Sequence, residues 1–177
     1  MEKEIKDNIE KSQELLRRSL INFKIVPLYG QLSPSRQLAA IMPDIGGNRK
    51  VILATNIAET SLTVQGVKIV IDSGFERIAK FNSKSGLSRL ETVQISKESA
   101  DQRKGRAGRL SEGVCYRLWS KVTQSRMKEQ STPEIERADL TSLVLDLAKW
   151  GIIDPNNLFW VTPPPFENVK KAKKLLE

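Results

Sequence analysis

A chain of 177 residues with 39% hydrophobic and 28% charged residues is long enough for one well-buried domain and too apolar to stay disordered. Its single cysteine, Cys115, excludes an internal disulfide framework and a cysteine-rich zinc site; the lack of histidine excludes a Ser-His-Asp triad, a Cys-His pair and any His-ligated metal. The net charge of +8 favours an anionic partner, and residues 68–109 carry ten Lys/Arg against five Asp/Glu.

Met1 to about Leu20 reads as a helix, with Ile5, Ile9, Leu16 and Leu20 on one side and Glu2/Lys6, Asp7/Lys11 and Glu14/Arg18 as i,i+4 pairs. Phe23 to Leu28 reads as a short buried strand. Ser33-Pro34 then opens a helix to about Met42, with proline in its first turn. Lys50 to Ala54 and Val67 to Ile71 are continuous apolar runs, which suggest central strands covered on both faces. With helices between them, a parallel α/β sheet follows. Residues 75–95 break that rhythm: Gly86 separates candidate strands at Ile78–Phe81 and Leu87–Ile95, which reads as an inserted β-hairpin. Glu98 to Lys104 looks helical, and Val114 to Trp119 reads as a further strand. Ser131-Thr132-Pro133-Glu134 has the form of a capping box, with Ser131 as N-cap of a helix reaching about Trp150 and stopping at Gly151. Pro163-Pro164-Pro165 interrupts the chain before a short basic helix to Glu177. Residues 1–130 are thus expected to form one α/β domain, and residues 131–177 look like the start of a second, helical one that is cut short.

Two segments could carry chemistry. In Gln102-Arg103-Lys104-Gly105-Arg106-Ala107-Gly108-Arg109, the spacing of Arg106 and Arg109 puts both on one side of a helical turn. Two guanidinium groups aimed together suit a polyphosphate. Gly105 and Gly108 leave room for close approach, and the Gln102 amide lies one turn earlier, where it could orient an attacking water. A basic helix end that merely holds acidic side chains or carbonyls is the structural alternative. Thr55-Asn56-Ile57-Ala58-Glu59-Thr60-Ser61-Leu62-Thr63 follows an apolar strand directly. Small hydroxyl and amide groups at the carboxyl end of a parallel strand can donate to phosphate and ribose, although turns favour the same residues.

These two blocks resemble motifs V and VI of the superfamily 2 helicases, in the DEAH-box branch. Pro27-Leu28-Tyr29-Gly30-Gln31-Leu32-Ser33 is similar to motif IV, residues 75–95 to that branch's β-hairpin, and Ser131 to Gly151 to the opening of its winged-helix domain. The stretches SGFERIAKF, SGLSRLE and YRLWS are most similar to the bacterial HrpB-type ATP-dependent helicases. The resemblance implies a RecA-like parallel sheet flanked by helices, in a cytoplasmic RNA helicase that uses ATP and Mg²⁺. It makes Arg106 and Arg109 arginine fingers on the ATP γ-phosphate and gives Gln102 the hydrolytic water. Gly105 and Ser61 would lie at the nucleotide, and Thr55, Asn56 and Thr63 would face the sugar-phosphate chain of single-stranded RNA. Ile41 stands where many relatives stack an aromatic ring on adenine, and Gln65 where several carry an aspartate near the ribose.

No G-x-x-x-x-G-K-[ST] loop and no DEAH sequence occur in the 177 residues. The resemblance assigns both, with the Mg²⁺ ligands, to a preceding RecA-like domain in cis or in trans. The chain is therefore expected to be the C-terminal half of a helicase motor, inactive alone. The alternatives are a non-catalytic RNA-binding or regulatory module and a DNA-acting helicase fragment. No apolar run is long enough for a bilayer, so no membrane partner is expected. Trp119, Trp150 and Trp160 are expected in packing, Cys115 buried in a strand, and Lys170, Lys171, Lys173 and Lys174 on a solvated helix face.

Overall fold

β-Branched and aliphatic residues dominate the runs that become strands. The computed structural model describes residues 23–59, 62–82, 86–109 and 111–177. The helix expected over Met1–Leu20 lies outside the described residues, as does Ser61. Contacts divide the chain into two units. One takes in the chain up to Gly74 and Lys97–Arg126; the other takes in Phe75–Ser96 and Met127–Glu177.

In the first unit, β1 (Phe23–Leu28) pairs in parallel with β2 (Arg49–Ala54), and β3 (Ile69–Asp72) pairs in parallel with β6 (Val114–Arg117). Parallel neighbours need crossovers, and α1 (Pro34–Ile41) supplies the one between β1 and β2. Pro34 sits in its first turn. Its carboxyl end is capped from the next strand: the Lys50 ammonium donates to the carbonyls of Ala39 at 3.0 Å, Ala40 at 2.8 Å and also Met42. These are carbonyls a helix end leaves without partners, and a cation there also meets the negative end of the helix dipole. Burial pushes the Lys50 pKa down despite the help of Asp44. β1 and β2 carry only Leu28 fully buried, and on β3 Ile69 and Ile71 are 62% and 68% exposed. Continuous apolar character therefore did not mean cover on both faces. α2 (Lys97–Lys104) and α3 (Lys121–Arg126) complete this unit. α3 has no apolar periodicity strong enough to announce it, and Ser120 starts it by accepting from the Thr123 N–H at 3.0 Å.

In the second unit, β4 (Phe75–Asn82) and β5 (Leu87–Gln94) form the expected antiparallel hairpin, with Gly86 at φ +67°. A long helix from Ser131 is not observed. The segment forms α4 (Glu134–Arg137) and α5 (Thr141–Lys149), separated at an extended Ala138. Asp139 causes the break by accepting from both the backbone N–H and the hydroxyl of Thr141, which starts α5 afresh. Ser131 is not the cap either; its hydroxyl lies 3.0 Å from that of Ser96. The stop at Gly151 is observed: at φ +82° it donates to Ala148, while Ile152 donates to Leu147, closing a Schellman motif. α5 packs on α6 (Phe166–Leu176) through Leu140, Val144, Val169 and Ala172. Full burial of a leucine or valine side chain contributes about 1.5–3 kcal/mol.

Trp150 is 76% exposed, against the expectation of packing. Trp119 and Trp160 are half-buried, and both indole N–H groups are satisfied, by Gln124 Oε1 at 2.6 Å and the Pro155 carbonyl at 2.8 Å. Cys115 is half-buried, and burial raises its thiol pKa. Lys170, Lys171 and Lys174 are exposed and Lys173 is half-buried.

Candidate functional site

Where β2 ends, the chain turns at once. The Thr55 N–H donates to the Leu28 carbonyl at 3.1 Å, and a single 3-10 turn covers Asn56–Ala58. Thr55 and Asn56 are thus exposed at the carboxyl end of a parallel pair, the edge on which open α/β sheets bind ligands. Ile41 and Gln65 are brought together by the Gln65 N–H on the Ile41 carbonyl at 3.4 Å. Neither is among the residues that line the arginine cavity described below.

Three arginines leave the end of α2 and meet different partners. Arg103 is neutralised inside the protein: its Nε donates to Glu59 Oε2 at 2.9 Å and its Nη1 to Asp72 Oδ1 at 3.0 Å. The Asp72 side chain is 1% exposed, and Oδ1 also accepts from the Gly74 N–H. Burial opposes the Arg103 charge, and the carboxylates of Glu59 and Asp72 more than offset it, leaving its pKa above the ordinary arginine value. Arg106 has no carboxylate at ion-pair distance among the described residues; Glu59 acts on it only from farther off. Its guanidinium donates to the Leu62 carbonyl at 3.3 Å and to the Glu59 carbonyl. Arg109 donates from Nη1 to Thr63 Oγ1 at 2.7 Å and likewise has no carboxylate partner there. Burial and then the Arg109 charge push the Arg106 pKa down against the pull of the Glu59 carboxylate, although a guanidinium keeps its proton throughout. Two cations are therefore held close together on neutral groups. An anion placed between them would relieve the repulsion and supply the missing charge.

Gln102, Gly105, Arg106 and Arg109 line one cavity of about 300 Å³. Small-molecule pockets span about 300–1,000 Å³, so this one lies at the small end of that range. The Gln102 Nε2 reaches back to Glu98 Oε1 at 3.4 Å, while its Oε1 is buried without a donor among the described residues. Buried acceptors are usually satisfied, and a water or ligand O–H can do so at a cavity edge. Among the described residues no group of three or more His, Cys, Asp or Glu could hold a metal ion.

Two details differ from the sequence reading. α2 ends at Lys104, so Arg106 and Arg109 converge from the turns after it rather than from a helical face. Nor does packing demand glycine at 105: a Cβ there would lie 3.4 Å from the Gln102 carbonyl, an ordinary contact. The close approach belongs to Gly113. A Cβ there would overlap the Ala107 carbonyl and lie 2.9 Å from the Gly108 nitrogen, both rigid backbone. Gly113→Ala is expected to cost about 1–3 kcal/mol, the usual range for overpacking. It should appear as a lower urea midpoint at unchanged slope, whereas Gly105→Ala stays near the parent. Equal midpoints for all three would contradict this packing.

Glu59, Asp72 and Arg103 were not singled out by sequence. Glu59 and Arg103 stand 44 positions apart and Asp72 and Arg103 stand 31 apart, spacings with no periodic signal. The one available cue was an aspartate ending an apolar strand run.

Residues 3–111 match the family described as helicase conserved C-terminal domain. The chain is 45% identical over 165 residues to the ATP-dependent RNA helicase HrpB of Escherichia coli strain K12, covering 93% of this chain and 20% of that protein. It is 43% identical over 176 residues to the ATP-dependent RNA helicase HrpA of Borreliella burgdorferi, covering 99% of this chain and 21% of that protein. It thus spans about a fifth of the length of these curated relatives. A crystal structure of Escherichia coli DEAH/RHA helicase HrpB superposes with a TM-score of 0.84 at 45% identity, covering 95% of this chain and 22% of the other. A second, of the Escherichia coli DExH-box NTPase HrpB, gives 0.80 at 46% identity, over 95% of this chain and 21% of the other. The parallel α/β fold expected from sequence is the fold of these structures.

Proposed function

Since this chain belongs to the helicase conserved C-terminal domain family, we propose that it is the second RecA-like domain of an HrpB-like, DEAH-box, ATP-dependent RNA helicase. In this reading residues 1–130 are that domain and residues 131–177 open a winged-helix domain. The single observation that carries it is the division among the three arginines. Arg103 has two carboxylates, whereas Arg106 and Arg109 keep their charge for a cavity they line together.

The chemistry follows from that charge. ATP held by a preceding RecA-like domain, in cis or in trans, would present its γ-phosphate to Arg106 and Arg109. Positive charge already in place where negative charge develops lowers the barrier without reorganisation at the moment of reaction. Gln102 Oε1, buried without a donor among the described residues, would accept from the attacking water. Gly105 and Ser61 would complete this side of the nucleotide, with Ile41 against the base and Gln65 near the ribose. Mg²⁺ would be held by the partner domain, where it would neutralise phosphate charge. Thr55, Asn56 and Thr63 would grip single-stranded RNA and move with this domain as the cleft closes and opens. A cytoplasmic location goes with this role; no described helix is long and apolar enough to cross a membrane.

The RNA half of the reading is tested by titrating this chain with single-stranded RNA and with DNA of the same sequence. RNA is expected to bind with affinity falling steeply as salt rises, and Thr55→Ala with Asn56→Ala is expected to weaken it. Tighter binding of the DNA would move the substrate assignment to DNA, equal affinity would overturn selectivity for RNA, and no affinity for either would sink the RNA half altogether.

A further inference from the structure

Thr63 was given to RNA and Arg109 to ATP, yet the two side chains are bonded to each other. Arg109 Nη1 donates to Thr63 Oγ1 at 2.7 Å. A hydroxyl has two acceptor lone pairs and one donor. The lone pair used by Arg109 leaves the Thr63 O–H free to donate elsewhere, and a phosphate oxygen of a bound strand is the acceptor that the basic surroundings favour. Arg109 is exposed, with no carboxylate to hold it among the described residues. Arg106, by contrast, is tied to two carbonyls. The aim of Arg109 therefore depends on this hydroxyl.

We propose that Thr63 is a positioning residue for Arg109, and that its one hydroxyl, accepting from the guanidinium while donating to an RNA phosphate, couples RNA occupancy to the nucleotide side. The inference rests on the preceding reading, in which Arg109 serves ATP. The bond to Arg109 is made without a strand; a strand that engages the O–H would fix the hydroxyl rotor and lock Arg109 in that aim. RNA stimulation of hydrolysis would then pass through this bond.

The experiment is ATP hydrolysis by the assembled two-domain enzyme with Mg²⁺, with and without saturating single-stranded RNA. It compares the parent, Thr63→Val, Thr63→Ser, Arg109→Ala and Thr63→Val with Arg109→Ala. Valine keeps the shape and removes the hydroxyl; serine keeps the hydroxyl. Thr63→Val is expected to lower RNA-stimulated kcat by about tenfold, the loss of roughly one charge-assisted hydrogen bond, with the KM for ATP little changed. Thr63→Ser should restore most of it. In the Arg109→Ala background Thr63→Val should cost nothing more, because the group it positions is gone. A Thr63→Val enzyme that loses RNA affinity but keeps full kcat at saturating RNA would overturn the inference and leave Thr63 a plain RNA contact. An unchanged Thr63→Val enzyme, or an undiminished loss in the Arg109→Ala background, would overturn it too. If Arg109→Ala itself left hydrolysis intact, the role of Arg109 in the preceding reading would fall first.

Discussion

Arg106→Ala in the assembled two-domain enzyme is expected to lower kcat by about a thousandfold or more, the usual worth of an arginine aimed at a transferring phosphoryl group. RNA affinity and the KM for ATP should change far less, because the charge matters most where the transition state is more negative than the ground state. The protein should remain folded. Arg106 donates to two backbone carbonyls from a half-buried position, and solvent can replace those bonds. Arg106→Lys is expected to recover little, because an ammonium cannot reproduce the planar fork that spans two acceptors. Single-turnover hydrolysis with saturating RNA is the measurement. A loss of tenfold or less would leave Arg106 as a structural tie between the end of α2 and the Glu59 and Leu62 carbonyls.

Arg103→Met should do the opposite, harming stability first. It leaves the Asp72 carboxylate, 1% exposed, without its cation. Removing one member of a buried pair costs about 3–5 kcal/mol, because the remaining charge is stranded. Folded proteins have only about 5–15 kcal/mol in hand, so a large share of the stability would go. Urea unfolding of this chain reads the effect, and Asp72→Asn added to Arg103→Met should recover part of it by removing the stranded charge. If Arg103→Met unfolds at the parent midpoint, the cluster of Glu59, Asp72 and Arg103 is not what secures α2 against β3. The pair of predictions separates arginines that the sequence presents as near-equivalents: one fails by unfolding, the other by losing chemistry.

How much was legible beforehand varied with the physics involved. β1, α1, β2, the hairpin and α2 were readable within a residue or two or three, because apolar runs, Pro34 and Gly86 act locally. The grouping of Gln102, Gly105, Arg106 and Arg109 was also local, since a short turn brings them to one cavity. The break between α4 and α5 was not readable, because Asp139 competes with a helix that the flanking pattern favours. Exposure of Ile69 and Ile71 was missed because apolar character says that a face can be covered, not that it is. The partner of Arg103 and the overlap at Gly113 depend on segments that meet only in three dimensions. The same holds for Thr63. Its residue type allowed an RNA contact, and only the fold shows the Arg109 guanidinium on its hydroxyl.

In the proposed reading this chain holds one side of a composite ATP site. The most direct test is ATP hydrolysis, with and without single-stranded RNA, by this chain alone and by the chain joined to a preceding RecA-like domain carrying the phosphate loop and DEAH sequence. Silence is expected from the chain alone and RNA-stimulated hydrolysis from the pair, abolished by Arg106→Ala. Silence from both while RNA still binds would contradict this reading and leave a non-catalytic RNA-binding module in its place.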